Sequence, residues 1–159
     1  MHIRIAVPAE VEVLDRIAYS AKAHWGYSAE QMGTWASDLS TSQESVTSEL
    51  TFVAEVGGTV VGFAQLDSSG EHPELVALWV LPQHIGKGIG RALLQEITRA
   101  AANACRSIIT IDSEPNAADF YIACGAKFIA NIPAPITGDP HRVRPQLRLS
   151  TSSIEEKRN

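Results

Sequence analysis

Cysteine is scarce in this chain. There are two among 159 residues, Cys105 and Cys124, with no CxxC spacing and no histidine cluster beside them, which excludes a disulfide framework and a cysteine-based metal site; buried thiols are the expectation. His2, His72, His84 and His141 are scattered without ligand spacing, so no metal is expected. Positive charge is short as well. Thirteen Lys and Arg against 18 Asp and Glu leave −5 at pH 7, which argues against nucleic acid as a partner and mildly favours cationic ones. Long apolar runs are missing, none approaching the roughly 20 residues that span a bilayer, so no membrane partner is expected. The opening "MHIRIAVPAEVEVLDR" places acidic residues where a secretory signal has its apolar segment, and the expected location is cytoplasmic.

What the chain does contain is ordinary globular material. A hydrophobic share of 45% with 19% charged residues suits one domain with a real core. No repeat, low-complexity segment or interior linker breaks it, and "STSSIEEKRN" reads as a polar tail. The expected organisation is a single domain over 1–150 with a tail over 151–159.

Periodicity supplies the elements. "HIRIAV" reads as a strand, and Pro8 opens a helix with Val11, Leu14, Ile17, Ala18 and Ala21 at helical spacing. A second helix is expected over about Ala29–Leu39. "FVAEV", the pair Gly57 and Gly58, and "TVVGFAQL" form a β-hairpin. "ELVALWVL" has so few polar interruptions that it should be covered on both faces. A long helix over roughly 88–104 carries one stripe of Ile89, Leu93, Ile97, Ala100 and Ala104 and another of Arg91, Gln95, Arg99 and Asn103. "SIITID", the short helix "NAADFYIAC" stopped by Gly125, "AKFIANI" and "RVRPQLRLS" complete an α/β (α+β) fold. Its mixed, mostly antiparallel sheet holds one βαβ crossover and is flanked by about four helices.

The informative stretch is "LWVLPQHIGKGIGRALLQEI", residues 78–97. A strand stops at a proline, crosses Gly86, Gly88 and Gly90, and becomes a helix preceded by Ile85, Gly86 and Lys87. None of these is a capping side chain. The first N–H groups of a helix lack internal partners and sit at its positive end. Without Cβ atoms at the glycines a ligand can touch the backbone, and a pyrophosphate is the natural occupant, with Lys87 and Arg91 adding charge. Two familiar phosphate loops are excluded: no GxxxxGK[ST] occurs, and the glycines space as GxGxG rather than GxGxxG. Asp112 does stand where a ribose-binding acid would sit, but a dinucleotide domain wants several βαβ units and this chain has one.

"WVLPQHIGKGIGRALL" resembles the acyl-CoA-binding segment of the GNAT superfamily of N-acetyltransferases, V-x-P-x-x-R/Q-G-x-G-I/V-G, and "NAADFYIACGAKF" is similar to that family's N-x-x-A-x-x-F-Y-x-x-x-G-F element. The two stand in the family's order and spacing, and the element order through residues 2–149 agrees with its fold. One position departs, Ile85 standing where Arg or Gln is usual. The resemblance implies acetyl-CoA as cofactor, its diphosphate on the main chain of Ile85, Gly86, Lys87, Gly88, Ile89, Gly90 and Arg91, and Asn116 bonded to the pantetheine arm. It further implies an oxyanion donor in the Leu78, Trp79, Val80 segment, Tyr121 as general acid at the thioester sulfur, and Glu74 as general base.

Acetyl transfer to an amine requires a neutral nucleophile, and alkylammonium groups have pKa values of about 10.4, so a base or a desolvating site is needed. Glu74 can serve there or be a solvated strand-end charge. Tyr121 follows Phe120, and of two adjacent aromatics one alone points squarely into the core. Tyr121 is therefore either the acid or a core ring with its hydroxyl satisfied elsewhere. In "AHWGYSAEQM", His24, Trp25 and Tyr27 fall between the first two helices, where the family lines its acceptor site. Trp25 and Tyr27 can hold a cationic amine by cation–π contact or can pack the helices. The Pro-rich "IPAPITGDPHRVRP" can wall that pocket or build a homodimer contact. The expectation is an N-acetyltransferase acting on a small-molecule or peptide primary amine, the alternative a non-catalytic acyl-CoA sensor or partner-binding module.

Overall fold

The computed structural model describes residues 1–154. The strands are β1 (His2–Ile5), β2 (Leu50–Val56), β3 (Thr59–Asp67), β4 (Glu74–Val80), β5 (Ile108–Asp112), β6 (Lys127–Pro133) and β7 (Val143–Ser150). The helices are α1 (Val11–Ala23), α2 (Ala29–Leu39), α3 (Gln43–Ser48), α4 (Ile89–Asn103) and α5 (Ala118–Ala123). A seven-stranded sheet has the order β1-β2-β3-β4-β5-β7-β6. β4 and β5 run parallel, whereas β1–β2, β2–β3, β5–β7 and β6–β7 pair antiparallel. The mixed, mostly antiparallel sheet with one crossover is therefore as expected.

Two compact units divide the chain. The first comprises Met1–Leu66 and Ala77–Ile97. Its β2–β3 hairpin turns at Gly57 (φ 59°) and Gly58 (φ 80°), a left-handed pair matching the twist of the strands. The amphipathic period of α1 buries Leu14, Ile17 and Ala18 against Val46, Val53 and Phe63. Burial of each large side chain contributes roughly 1.5–3 kcal/mol, and Leu14→Ala would cost about 2–5 kcal/mol through the cavity left behind. Ahead of α1, Arg4 ties Glu10 and Glu55 together; its Nε donates to Glu55 Oε1 at 3.0 Å, and its Nη2 reaches both carboxylates.

α3 is an element that hydrophobic periodicity does not announce. Six residues long, it buries Val46 and is set by caps: Ser42 Oγ accepts from Ser45 N–H at 3.0 Å. Its approach is pinned by Asp15 Oδ1, which accepts from the Thr41 N–H at 2.7 Å. In β3, a Cβ at Gly62 would lie 3.0 Å from the Trp79 carbonyl oxygen, so this position admits glycine alone without backbone movement.

The second unit comprises Asp67–Val76 and the chain from Thr98 onward. Its parallel ladder pairs Glu74 with Thr110 and Leu75 with Ile111. β7 alternates buried Pro145, Leu147 and Leu149 with more accessible neighbours, the period-two signature of a half-covered strand. β6 is exposed at every position, Phe128 and Ile129 included. Arg106 donates to the carbonyls of Ser68, Gly70 and Glu71 and so clasps the loop before β4. The tail expected from residue 151 begins as a 3-10 turn, Thr151–Ile154, with Thr151 Oγ1 donating to the Arg106 carbonyl at 2.9 Å; residues 155–159 lie outside the described residues.

Three expectations are corrected. Cys105 is exposed and Cys124 half-buried, so neither thiol belongs to the core. Cys105 sits where the helix stops: at φ 57° it is the left-handed residue of a Schellman cap, its N–H bonded to Ala102 O and the Arg106 N–H to Ala101 O, both at 2.9 Å. β4 is not covered on both faces at its start, since Glu74 and Val76 are exposed around buried Leu75; an apolar run reports strand preference and does not by itself report cover. The buried stripe of α4 includes Ile89, Leu93, Leu94, Ile97, Thr98 and Ala101, whereas Ala104 lies beyond the helix and is exposed.

Candidate active site

The segment after β4 is built from main-chain geometry. Leu81 N–H donates to Val61 O at 2.8 Å as the strand ends, and a turn over Pro82–His84 brings His84 N–H to Leu81 O and Ile85 N–H to Pro82 O. Two left-handed glycines, Gly86 (φ 79°) and Gly88 (φ 82°), then straddle Lys87. From Gly86 through Arg91 no main-chain N–H has an acceptor among the described residues; the first paired amide is Ala92, bonded to Gly88 O at 3.0 Å. A Cβ at Gly86 or Gly88 would meet nothing within 4 Å, so both face open space. Gly90, by contrast, lies in the first turn of α4 and is half-buried.

Alternating left-handed residues point successive N–H groups into one concavity, and the positive end of the helix dipole adds to it. Lys87 and Arg91 are exposed beside it, Ile89 is buried beneath it, and Ile85 is 47% exposed with no charge to contribute. Upstream, Leu78, Trp79 and Val80 are half-buried, and Trp79 packs on the core cluster of Leu14, Ile17 and Phe63. This segment is anchored by its apolar side chains.

In the second unit Glu74 is exposed at the head of β4, opposite Thr110. Asn116 lies in a turn over Pro115–Ala117, and its Nδ2 donates to Glu114 Oε1 at 2.7 Å. Glu114 in turn stands 3.6 Å from Arg142, both side chains 5% exposed, and Arg142 Nη1 donates to Ala134 O at 3.2 Å. Tyr121 is the inward ring of the adjacent aromatic pair, edge-on to Phe120 at 5.2 Å. Burial, seconded by Cys124, pushes its phenol well above the usual 10.0. The hydroxyl has no hydrogen-bond partner among the described residues. It is thus neither ionised nor committed, the state required of a proton donor. Asp112 is committed: its Oδ1 accepts from Arg144 Nε at 3.1 Å and Gln146 Nε2 at 2.9 Å, a cross-strand tie rather than a ribose ligand.

Between α1 and α2 the aromatic arrangement differs from the one expected. Trp25 is 41% exposed and meets His24 edge-on at 5.4 Å. Tyr27 pairs instead with Trp35 at 4.8 Å, nearly perpendicular. Lys22 Nζ lies 4.1 Å from the centroid of Trp35 and 5.8 Å from that of Tyr27. Neither Lys22 nor Trp35 is marked in the sequence, because the three residues meet across the turn at Gly26 and no local spacing joins them. Among the described residues no group of His, Cys, Asp and Glu could hold a metal ion, and no helix is long and apolar enough to cross a membrane.

Residues 47–125 match the family profile for the acetyltransferase (GNAT) domain. The fold is likewise that of a GCN5-related N-acetyltransferase from Rhodopseudomonas palustris, with a TM-score of 0.76 at 25% identity over 94% of each chain. The chain belongs to the GNAT superfamily. A PaiA N-acetyltransferase from Thermoplasma acidophilum, solved with coenzyme A, matches with a TM-score of 0.76 at 19% identity, covering 94% of this chain and 98% of that one. The yncA protein of Salmonella typhimurium, solved with its cofactor acetyl-CoA, gives 0.70 at 21% identity over 95% and 94%. No curated protein matches the chain. As a GNAT member the protein is an acetyltransferase with acetyl-CoA as donor, and its matched segment contains Glu74, the loop at Gly86–Arg91, Asn116 and Tyr121.

Proposed function

We propose that the protein transfers the acetyl group of acetyl-CoA to a primary amine, on a small molecule or at a peptide terminus, by direct attack on the thioester. The observation that carries this reading is the run of unaccepted main-chain N–H groups from Gly86 to Arg91 around two left-handed glycines. A diphosphate satisfies such donors at no desolvation cost to a side chain. Lys87 and Arg91 supply the charge that Ile85 does not. Acetyl-CoA supplies an activated acyl group whose leaving thiolate is a modest base. A main-chain N–H of Leu78–Val80 stabilises the oxyanion as the amine adds to the carbonyl. Tyr121, held protonated by burial, gives its hydroxyl proton to the sulfur as the C–S bond breaks. Asn116 fixes the pantetheine arm. Glu74, exposed to solvent at the head of β4, takes the proton through water from the ammonium or from the adduct.

The test is thiol release from acetyl-CoA with a panel of primary amines, beside calorimetric titration of coenzyme A. Release with at least one amine supports the reading. Tight coenzyme A binding with no release from any amine replaces catalysis with a sensor, a role the neutral Ile85 also permits.

A further inference from the structure

Two stretches of the second unit, the turn after β5 and the Pro-rich loop after β6, meet through a buried ion pair. The side chains of Glu114 and Arg142 are each 5% exposed, with Oε2 and Nη2 3.6 Å apart. Withdrawing two charges from water costs about as much as such a pair returns, so fold stability alone is a weak account of it. Both partners are fixed by the backbone. Arg142 Nη1 donates to Ala134 O at 3.2 Å, the Ala134 N–H donates to Arg142 O at 3.0 Å, and Ile136 and Asp139 exchange main-chain bonds across the turn at Gly138. Glu114 O accepts from Ser113 Oγ at 2.6 Å and from the Ala117 N–H at 2.9 Å, and the Ser113 N–H donates to Pro145 O at 2.8 Å. On this fixed carboxylate rests an exposed amide, Asn116 Nδ2 donating to Glu114 Oε1 at 2.7 Å. A carboxylate carries lone pairs and no proton, so only the NH2 end of the amide can face it. Oδ1, the other end of the planar group, is turned away from Glu114.

We propose that Glu114, with Arg142 beside it, is a positioning residue for the cofactor: it fixes the sense of the Asn116 amide, so that Oδ1 is the acceptor offered to an amide N–H of the pantetheine arm. The inference rests on the reading above in which Asn116 holds that arm, and it adds which end of the amide does so and what decides it. Pantetheine contains two secondary amides, whose N–H groups need acceptors once they leave water. An asparagine amide that nothing orients can turn over and set its NH2 against such a donor. Oδ1 has two lone pairs, so a further bond within the protein leaves it able to accept. The loop over 134–142 then serves the cofactor by delivering Arg142 to Glu114.

The experiment is calorimetric titration of the full chain with coenzyme A and, separately, with 3′-phosphoadenosine 5′-diphosphate, which has the diphosphate and no arm. Glu114→Gln keeps the shape but offers an NH2 as readily as an oxygen, so the Asn116 amide loses its fixed sense. The Kd for coenzyme A should then rise about three- to tenfold, with that for the nucleotide unchanged. Glu114→Gln combined with Asn116→Asp exchanges donor and acceptor: the new amide donates, and the new carboxylate keeps an acceptor on its far side. This double variant should regain coenzyme A affinity to within about twofold of native, a coupling that a merely structural pair would not produce. Unchanged coenzyme A binding by a folded Glu114→Gln protein, an equal rise for both ligands, or a double variant no better than the single one would overturn the proposal and leave the ion pair a brace for the loop. Where melting curves show the single variant unfolded, the double variant decides alone, native affinity supporting the assignment and a loss overturning it. A native chain that binds coenzyme A no more tightly than the nucleotide takes Asn116 off the arm and ends the reading above, whereas a native preference that Glu114→Gln retains ends only this inference.

Discussion

The Ala92 N–H donates to the Gly88 carbonyl at 3.0 Å, and it is the first amide after Ile85 with a main-chain acceptor. Everything between is a row of donors held by two glycines in a conformation other residues resist. Gly88→Ala should therefore do two separable things. The strain of alanine at φ 82° should cost about 1 kcal/mol, lowering the melting temperature by roughly 2–4 °C. No further loss is expected, since the new methyl meets nothing within 4 Å. It does stand where the diphosphate would bind, so the Kd for coenzyme A should rise by about tenfold or more, a loss on the order of 1.4 kcal/mol. Calorimetry alongside a melting curve separates the two, and an unchanged Kd would remove the loop from cofactor binding.

Tyr121→Phe removes one oxygen from a buried site. If the hydroxyl protonates the leaving sulfur, kcat should fall by about 10²–10⁴-fold with the affinity for coenzyme A unchanged. The pH dependence follows from the same burial. Its phenol is raised above 10.0, so the donor stays protonated throughout the neutral and moderately alkaline range, and the native kcat profile should show no alkaline limb from Tyr121 below pH 10. The stability linked to this group is fully present below pH 10 and is lost as pH rises through the higher folded value. Full turnover by the phenylalanine variant would make the ring a core residue.

The parts of the fold legible in the sequence are those set by local pattern. The α1 period, the Gly57–Gly58 hairpin, the α2 bounds and the glycine loop are all short-range signals, and each survives in three dimensions. α3 was not legible because six residues with one buried side chain, Val46, have no period; serine caps and Asp15 hold it. The thiols were misplaced for a related reason. Cys105 follows an apolar helix, and its exposure is a consequence of the cap geometry, which depends on where the helix stops rather than on residue type. At the candidate site, main-chain donors were readable because glycine and proline fix backbone shape. The Lys22, Tyr27, Trp35 contact was not, because it joins residues across a turn by side-chain reach.

The Schellman position offers a direct test of the backbone account. Cys105 is a non-glycine residue at φ 57°, and its exposed thiol gives back no burial. Cys105→Gly should stabilise the protein by about 0.5–1 kcal/mol, the relief of left-handed strain exceeding the added freedom of the unfolded chain. Urea unfolding with an unchanged m-value measures it. A loss of stability would mean that the thiol makes a contact which outweighs the strain.

Arg4 and its two carboxylates predict an acid-sensitive increment of stability. The hydrogen bond and charge of Arg4 hold Glu10 below its ordinary value of 4.5, and the Val7 N–H adds to this from 2.9 Å. Because the folded value is the lower one, the linked stability is present above pH 4.5 and is lost as pH falls through the folded value. The side chains of Arg4, Glu10 and Glu55 are partly exposed, so solvent screens them and the network contributes on the order of 1 kcal/mol at neutral pH. Arg4→Met should therefore lower stability by about that much at pH 7 and by progressively less as pH falls below 4.5 and through the lower folded value, where Glu10 becomes protonated in the native fold as well. Urea denaturation of native and variant chains at pH 7 and pH 3 gives the comparison. If the deficit were the same at both, Arg4 would be holding β1 to the start of α1 through its aliphatic stem, and the carboxylates would be bystanders.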